Sequence, residues 1–229
     1  ASKTRLDSYL TFLLMEDKQM SKYMLERAGL RVPAGEQYHA PDEAIGDFAR
    51  YKGRPVVVKP TTTNFGTGIT VFESPPAPEQ FAEAVKTAFS HDAAVIVEEF
   101  VAGMEYRFLV IDGVCAAVAN RIPANVVGDG KRSIRELVAA KNTDPRRGVG
   151  HVTPLEKIQL AETETGYLLR QGLSPDSVPE DGAQVFLRKN SNISTGGDSV
   201  DRTDDVADHF RDAAVRAAAA VEAKICGWI

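Results

Sequence analysis

Apolar positions recur at two periods along this chain, and the switching between them predicts a protein built of both helices and strands. Over 17–28 the spacing predicts a helix with Met20, Met24 and Ala28 on one face, stopped by Gly29 and Pro33. A second helix is predicted over 41–50. Strand 55–59 (Val56-Val57-Val58-Lys59), a glycine-spaced loop and strand 69–73 follow. After the connector Ser74-Pro75-Pro76-Ala77-Pro78, Phe81, Ala84, Val85 and Ala88 form a helical i, i+3, i+4, i+7 stripe. Ala94-Val95-Ile96-Val97 reads as a buried strand running into Glu98-Glu99-Phe100.

The second half opens with runs 108–111 and 114–119 about Asp112-Gly113, a hairpin signal. Ser133-Ile134-Arg135-Glu136 has the form of a capping box opening a helix of about ten residues. Residues 142–160 read as irregular, 163–171 as a helix and 185–187 as a strand. Val206, Phe210, Ala214, Ala217, Val221 and Ile225 lie on one face of a last helix. The expected fold class is therefore α+β: two lobes, 1–97 and 98–229, with a cleft between them and the boundary in the stretch Val97–Gly103.

Composition narrows the function classes. The 229 residues are 43% hydrophobic, enough for an ordinary core. With 32 acidic and 27 basic residues the net charge is −5, which argues against nucleic-acid binding by bulk electrostatics. No apolar run approaches the roughly 20 residues that span a bilayer, and the first residues lack an apolar signal core. Cys115 and Cys226 stand far apart in apolar segments, which predicts buried thiols in a reducing cytoplasm. The four histidines show no paired spacing, so no zinc site is expected.

Four clusters carry candidate chemistry. Lys59 ends a strand that opens into Thr61-Thr62-Thr63-Asn64-Phe65-Gly66-Thr67-Gly68, a loop able to lay backbone N–H groups on phosphate oxygens. A surface lysine beside a plain hairpin turn is the alternative. Glu98-Glu99-Phe100-Val101 suits an adenine hinge: backbone groups near Glu99 and Val101 can pair with a purine edge, and a carboxylate can accept from its amine. Glu105 is then placed for ribose hydroxyls, and Arg107 shares its strand face. Solvated carboxylates at a strand end are the other reading. Arg121 ends a strand, as an anion clamp or as a structural arginine. Arg188 to Asp198 holds Asn190, Asn192, Ser194, Thr195, Gly196 and Gly197, a dense set of hydrogen-bonding groups whose paired glycines would expose N–H to a substrate, or a solvated polar turn.

These strings resemble the ATP-grasp superfamily. Pro123-Ala124-Asn125-Val126-Val127-Gly128-Asp129-Gly130, Asn142 to Gly148 and Asn190 to Gly197 together resemble two families, cyanophycin synthetase and the bifunctional glutamate–cysteine ligase/glutathione synthetase. Thr63 to Gly66, Thr153 to Ile158 and Ala223 to Gly227 are closer to the second. The resemblance runs from about residue 10 to 227 and points to the glutathione-forming C-terminal part.

That resemblance implies an ATP-dependent carboxylate–amine ligase joining γ-glutamylcysteine to glycine through an acyl phosphate, in a parent chain with an N-terminal glutamate–cysteine ligase domain. It implies ATP and Mg²⁺ as cofactors. It assigns ATP phosphates to Lys18 and Lys59, with Thr63, Asn64, Gly66 and Gly68 in the loop; adenine to Glu98 through Val101; and ribose to Glu105. Arg107 and Arg121 become the catalytic candidates. The alternatives are a cyanophycin-type peptide ligase and a non-catalytic ATP-binding fragment. In the family the metal-binding Asp, Glu and Asn lie beyond the Cys226-Gly227 strand, with an aspartate expected where this chain has Ile229. By that comparison the chain reads as an excised or truncated domain of unknown metal ligands, with Asp198 and Asp201 as substitutes to be tried.

Overall fold

The computed structural model describes residues 5–63 and 67–228. The described residues of 1–103, 109–116 and 207–228 group as one compact unit, and 104–108 with 117–206 as a second.

The first unit begins with two helices, α1 (Tyr9–Glu16) and α2 (Lys18–Arg27). Strand β1 (Gly35–Tyr38), short helices α3 (Pro41–Gly46) and α4 (Phe48–Tyr51), strands β2 (Val56–Pro60) and β3 (Thr70–Phe72), helix α5 (Pro78–Phe89) and strand β4 (Val95–Glu99) follow. The strands form one antiparallel sheet in the order β1-β4-β2-β3. Val56 and Val58 point into the core while Val57 and Lys59 take the opposite face, as strand alternation requires. The α5 stripe Phe81, Ala84, Val85 and Ala88 packs on that sheet, fully or almost fully buried.

The single helix expected over 41–50 is two. Gly46 weakens the turn, and the Asp47 carboxylate accepts from the Tyr38 hydroxyl at 2.6 Å. On α2, Met20 is 42% exposed and the buried side chain is Lys22, so the expected methionine face is not the core face.

Strands β5 (Glu105–Ile111) and β6 (Val114–Ile122) make the expected hairpin. Asp112 (φ 45°) and Gly113 (φ 79°) both take the left-handed conformation that a tight two-residue turn demands. The turn is tied within the first unit: Asp112 N–H donates to the Lys224 carbonyl at 2.7 Å, and the Lys224 ammonium lies 2.9 Å from the Asp112 carboxylate.

The second unit continues with β7 (Asn125–Val127), α6 (Ile134–Lys141), the two-residue parallel strands β8 (Arg147–Gly148) and β9 (Leu155–Glu156), α7 (Glu162–Arg170), β10 (Gln184–Phe186), a 3₁₀ turn over Ile193–Thr195 and β11 (Asp198–Asp201). Strand β10 pairs antiparallel with β7, and β11 with β6 from Asp198↔Ile122 to Asp201↔Ala119. Ile134, Leu137, Val138, Ile158, Leu168, Val185 and Leu187 form its core. The capping box is present: Ser133 Oγ accepts from Glu136 N–H, and Glu136 Oε2 from Ser133 N–H.

The last described elements, in the first unit, are α8 (Asp208–Ala220) and β12 (Ile225–Trp228). Ala214, Ala217 and Ala218 are the buried face of α8. The expected stripe ran too far at both ends: Phe210 is 54% exposed against His209, and Ile225 belongs to β12. Cys226 is buried, and burial pushes its thiol pKa up; Cys115 is only half-buried, contrary to expectation. Among the described residues no helix is long and apolar enough to cross a membrane.

Candidate functional site

Three lysines gather about one carboxylate in the first unit. β2 pairs with β4 so that Val57 faces Glu98 and Lys59 faces Ile96. Lys59 therefore reaches Glu98 along the diagonal of the same sheet face, and its ammonium forms a close ion pair with Glu98 Oε1. The other oxygen, Oε2, lies 3.0 Å from the Lys22 ammonium. The Glu98 side chain is 6% exposed, Lys22 11% and Lys59 19%.

Helix α2 supplies Lys22 and Lys18 from one face, four residues apart. Its start is fixed by Asp17, whose carboxylate accepts from Gln19 N–H and Met20 N–H at 2.8 and 2.9 Å. Lys18 sits at the first helical position and donates to the carbonyls of Pro60, Thr61 and Thr63 at 3.1, 3.0 and 2.7 Å. Burial, and then the neighbouring Lys59 charge, hold its pKa below the usual 10.5. The sequence reading brought Lys18 and Lys59 together but missed Lys22. The signal available was its i+4 spacing from Lys18.

The loop after β2 is tied at its start. Thr61 donates through N–H and Oγ1 to the Ala94 carbonyl, and Thr62 donates through both groups to Asp92. Thr63 Oγ1 donates to the Thr67 carbonyl at 2.9 Å. Gly68 has φ +72°, and a Cβ there would lie 2.7 Å from Pro60 and 2.8 Å from His91. Asn64 and Gly66 lie outside the described residues. At the end of β4, Glu99 N–H donates to the Ala34 carbonyl, and Glu99 Oε1 accepts from Ala34 N–H at 3.0 Å. Phe100 N–H donates to Pro55, while Val101 is 64% exposed.

In the second unit Glu105, Arg107 and Arg121 are within electrostatic reach of one another. Burial lowers the Arg121 pKa, the Glu105 carboxylate opposes that shift, and the Arg107 charge adds to it. Arg121 donates through Nε and Nη2 to the Ser191 carbonyl at 3.2 and 3.1 Å, bracing the 190–197 loop. Arg107 is exposed and has no ion pair among the described residues.

That loop is largely self-satisfied. The Asn192 carbonyl accepts from Thr195 N–H and Gly197 N–H, each at 3.1 Å, and Gly196 N–H donates to Ile193. Thr195 Oγ1 lies 3.3 Å from Asn190 Oδ1. Gly196 and Gly197 are buried, so the expected exposed N–H pair is absent; these glycines serve close packing. Asn190 and Ser194 are the exposed members.

Asp198 and Asp201 are not free as substitute metal ligands. Asp198 is held by Arg147, by Lys141 at 2.6 Å and by Asn125 at 3.0 Å. Asp201 accepts from Thr203 N–H and Oγ1. Among the described residues no group of three or more His, Cys, Asp or Glu is placed to hold a metal ion. The lysines fit a polyphosphate, whereas these carboxylates do not fit Mg²⁺.

The comparisons share one fold. The family model described as "D-ala D-ala ligase C-terminus" matches residues 30–130. The bifunctional glutathione biosynthesis protein GshAB of Desulfotalea psychrophila is 47% identical over 99% of this chain and 29% of its own length. That of Clostridium perfringens is 48% identical over the same shares. The bifunctional glutathione synthetase structure from Pasteurella multocida superposes with TM-score 0.68 at 45% identity, covering 98% of this chain and 30% of that one. The D-alanine–D-alanine ligase of Bacillus anthracis, at 13% identity and TM-score 0.56, shares the fold. The chain thus spans about three tenths of the length of the relatives it matches. With identity near one half sustained along nearly its whole length, it has the ATP-grasp fold and is similar to one part of the bifunctional glutathione biosynthesis proteins.

Proposed function

We propose that this chain supplies the ATP-dependent ligase part of glutathione formation, joining γ-glutamylcysteine to glycine within a longer polypeptide that also carries glutamate–cysteine ligase activity. The observation that carries this reading is the lysine group: two ammonium groups, Lys18 and Lys59, fixed by a helix start and a strand end beside a threonine-rich loop. Such a group suits the phosphates of ATP. The names of the relatives supply the product.

The chemistry follows from a poor acyl donor. A carboxylate oxygen of γ-glutamylcysteine attacks the γ-phosphorus and ADP leaves. The glycine amine then attacks the acyl carbon, and phosphate leaves as the amide forms. Positioning and charge stabilisation are the protein's contribution. Lys59 would bind phosphate oxygens, and Lys18, whose donors rest on the carbonyls of Pro60, Thr61 and Thr63, would add its charge beside them. The segment from Glu99 to Val101 would meet the adenine edge. In the second unit, Glu105 would accept from ribose hydroxyls, Arg107 and Arg121 would steady an anionic phosphoryl or carboxylate group, and the exposed Asn190 and Ser194 would contact substrate. Mg²⁺, when bound, would neutralise phosphate charge.

The test is ligation in the full-length parent, with ATP and γ-glutamylcysteine plus glycine in one arm and an aspartyl polymer in the other. ADP release that depends on the dipeptide and glycine is the expected result. Release only with the aspartyl polymer would transfer the chain to cyanophycin-type chemistry. Calorimetry with ATP and Mg²⁺ that registers no binding would leave a scaffold role.

A further inference from the structure

Glu98 has both carboxylate oxygens engaged by lysines, and Lys22 is the more buried of the two. Lys22 projects from α2, its side chain is 11% exposed, and its ammonium lies 3.0 Å from Glu98 Oε2. Lys59, on the other oxygen, is the more exposed of the two. A buried lysine is costly unless paired, so its presence here calls for a reason.

We infer that Lys22 is a positioning residue that acts through Glu98: it neutralises and orients this carboxylate, so that Glu98 serves as a balanced counterion for Lys59 and not as an acceptor for a nucleotide base. The inference rests on the phosphate-binding reading of Lys59. Glu98 alone with Lys59 is a neutral pair, and an incoming phosphate must compete with a full carboxylate for that ammonium. With Lys22 on the second oxygen, the Lys22–Glu98–Lys59 triple carries one net positive charge. The competing carboxylate is then partly satisfied elsewhere, and Lys59 is released to phosphate more readily. Lys18, its donors occupied by three carbonyls, adds charge from the side without touching Glu98. Lys22 is held at the right height because Asp17 fixes the helix start one turn before it.

The experiment measures binding of inorganic tripolyphosphate and, separately, of adenosine to the full chain, in the native protein and in Lys22→Met, Lys22→Arg, Glu98→Gln and Lys59→Ala. Far-UV circular dichroism accompanies each variant. Lys22→Met is expected to weaken tripolyphosphate binding roughly three- to tenfold, the effect of one unit charge a few ångströms away under solvent-like screening. Lys22→Arg should restore most of that loss. Glu98→Gln, which removes the competing charge, should strengthen tripolyphosphate binding and leave adenosine binding unchanged. A folded Lys22→Met protein with native tripolyphosphate affinity overturns the inference, as does a Glu98→Gln protein that loses adenosine and gains no tripolyphosphate affinity. If Lys22→Met fails to fold, Glu98→Gln decides alone by those opposite signs. Lys59→Ala separates the two levels. Native tripolyphosphate affinity in that variant overturns the phosphate reading and this inference with it. A loss there, with no change in the Lys22 and Glu98 variants, overturns the inference only.

Discussion

Arg147 and Asp198 form an ion pair across 51 residues of sequence, with the arginine side chain only 1% exposed. The same guanidinium donates to the carbonyls of Glu156 and Gly196 at 2.7 and 3.0 Å, so one side chain ties β8, β9, the 190–197 loop and β11 together. Removing the carboxylate leaves a buried guanidinium without its counterion. Asp198→Ala should cost about 3–5 kcal/mol of stability, the usual penalty for breaking a buried pair. Urea unfolding monitored by circular dichroism measures it. A loss below about 1 kcal/mol would mean that solvent reaches the guanidinium and covers the gap.

The proposed phosphate role of Lys59 is tested by binding, not by stability. Replacing Lys59 by alanine should weaken ATP binding by about 1–3 kcal/mol through the loss of a charge-assisted contact. Calorimetry at fixed salt reads it directly. Unchanged affinity would remove the phosphate role.

Lys18 gives that binding a pH dependence. Its pKa is depressed by burial and by Lys59, so it loses its proton at a pH below the usual 10.5. Phosphate needs the charged form. Affinity should therefore fall as pH rises through the depressed value, before an ordinary lysine would titrate. Lys18→Arg should move that alkaline limb upward. A limb that stays in place in the arginine variant would assign the titration to another group.

The chain's organisation was legible where one force dominates. The α5 stripe was readable because Phe81, Ala84, Val85 and Ala88 all answer to burial alone. Asp112-Gly113 was readable because few residue pairs accept two positive φ angles. The α2 face misled because the sequence was scanned for apolar period, whereas the buried group is Lys22, retained by Glu98 from 76 residues away. β7 and β11 went unseen for a similar reason. Each is three or four residues long, and the Asn125 and Asp198 side chains that begin them are polar, satisfied by each other and by Lys141. Of the candidate site, Lys18 was named through the family resemblance and Lys59 through its place at a strand end. The inward turn of the 190–197 glycines was not, because hydrogen-bond satisfaction within a loop leaves no period in the sequence.

Asp129 predicts the acid limb of stability. Hydrogen bonds from the Arg132 backbone and side chain, with a further bond from Lys131 N–H, hold its pKa at about 2, against the usual 3.8. A folded-state value below the unfolded one stabilises the protein fully above the unfolded value and loses that contribution as pH falls through the folded one. The stability difference between the native protein and Asp129→Asn should be level above about pH 4 and shrink toward pH 2. Urea midpoints at half-unit pH steps would follow it. A difference that stays constant across that window would show that the amide of the variant keeps the same turn without needing the charge.

Gly196 tests whether the buried loop is held by packing or by backbone conformation alone. Its φ is +91°, and a Cβ would lie 2.9 Å from both Cα and Cγ1 of Ile158. Gly150 offers the matched control: φ +77° and open space where a Cβ would go. Left-handed strain costs a non-glycine residue about 1–2 kcal/mol, and forcing an atom into a packed interior about 1–3 more. Gly196→Ala should therefore lose about 2–5 kcal/mol and Gly150→Ala only about 1–2. Thermal melts of the two variants rank them. Equal losses would show that Ile158 yields to the new methyl and that conformation alone fixes the glycine; a larger loss at Gly196 makes the contact with Ile158 the reason this loop cannot open its backbone to solvent.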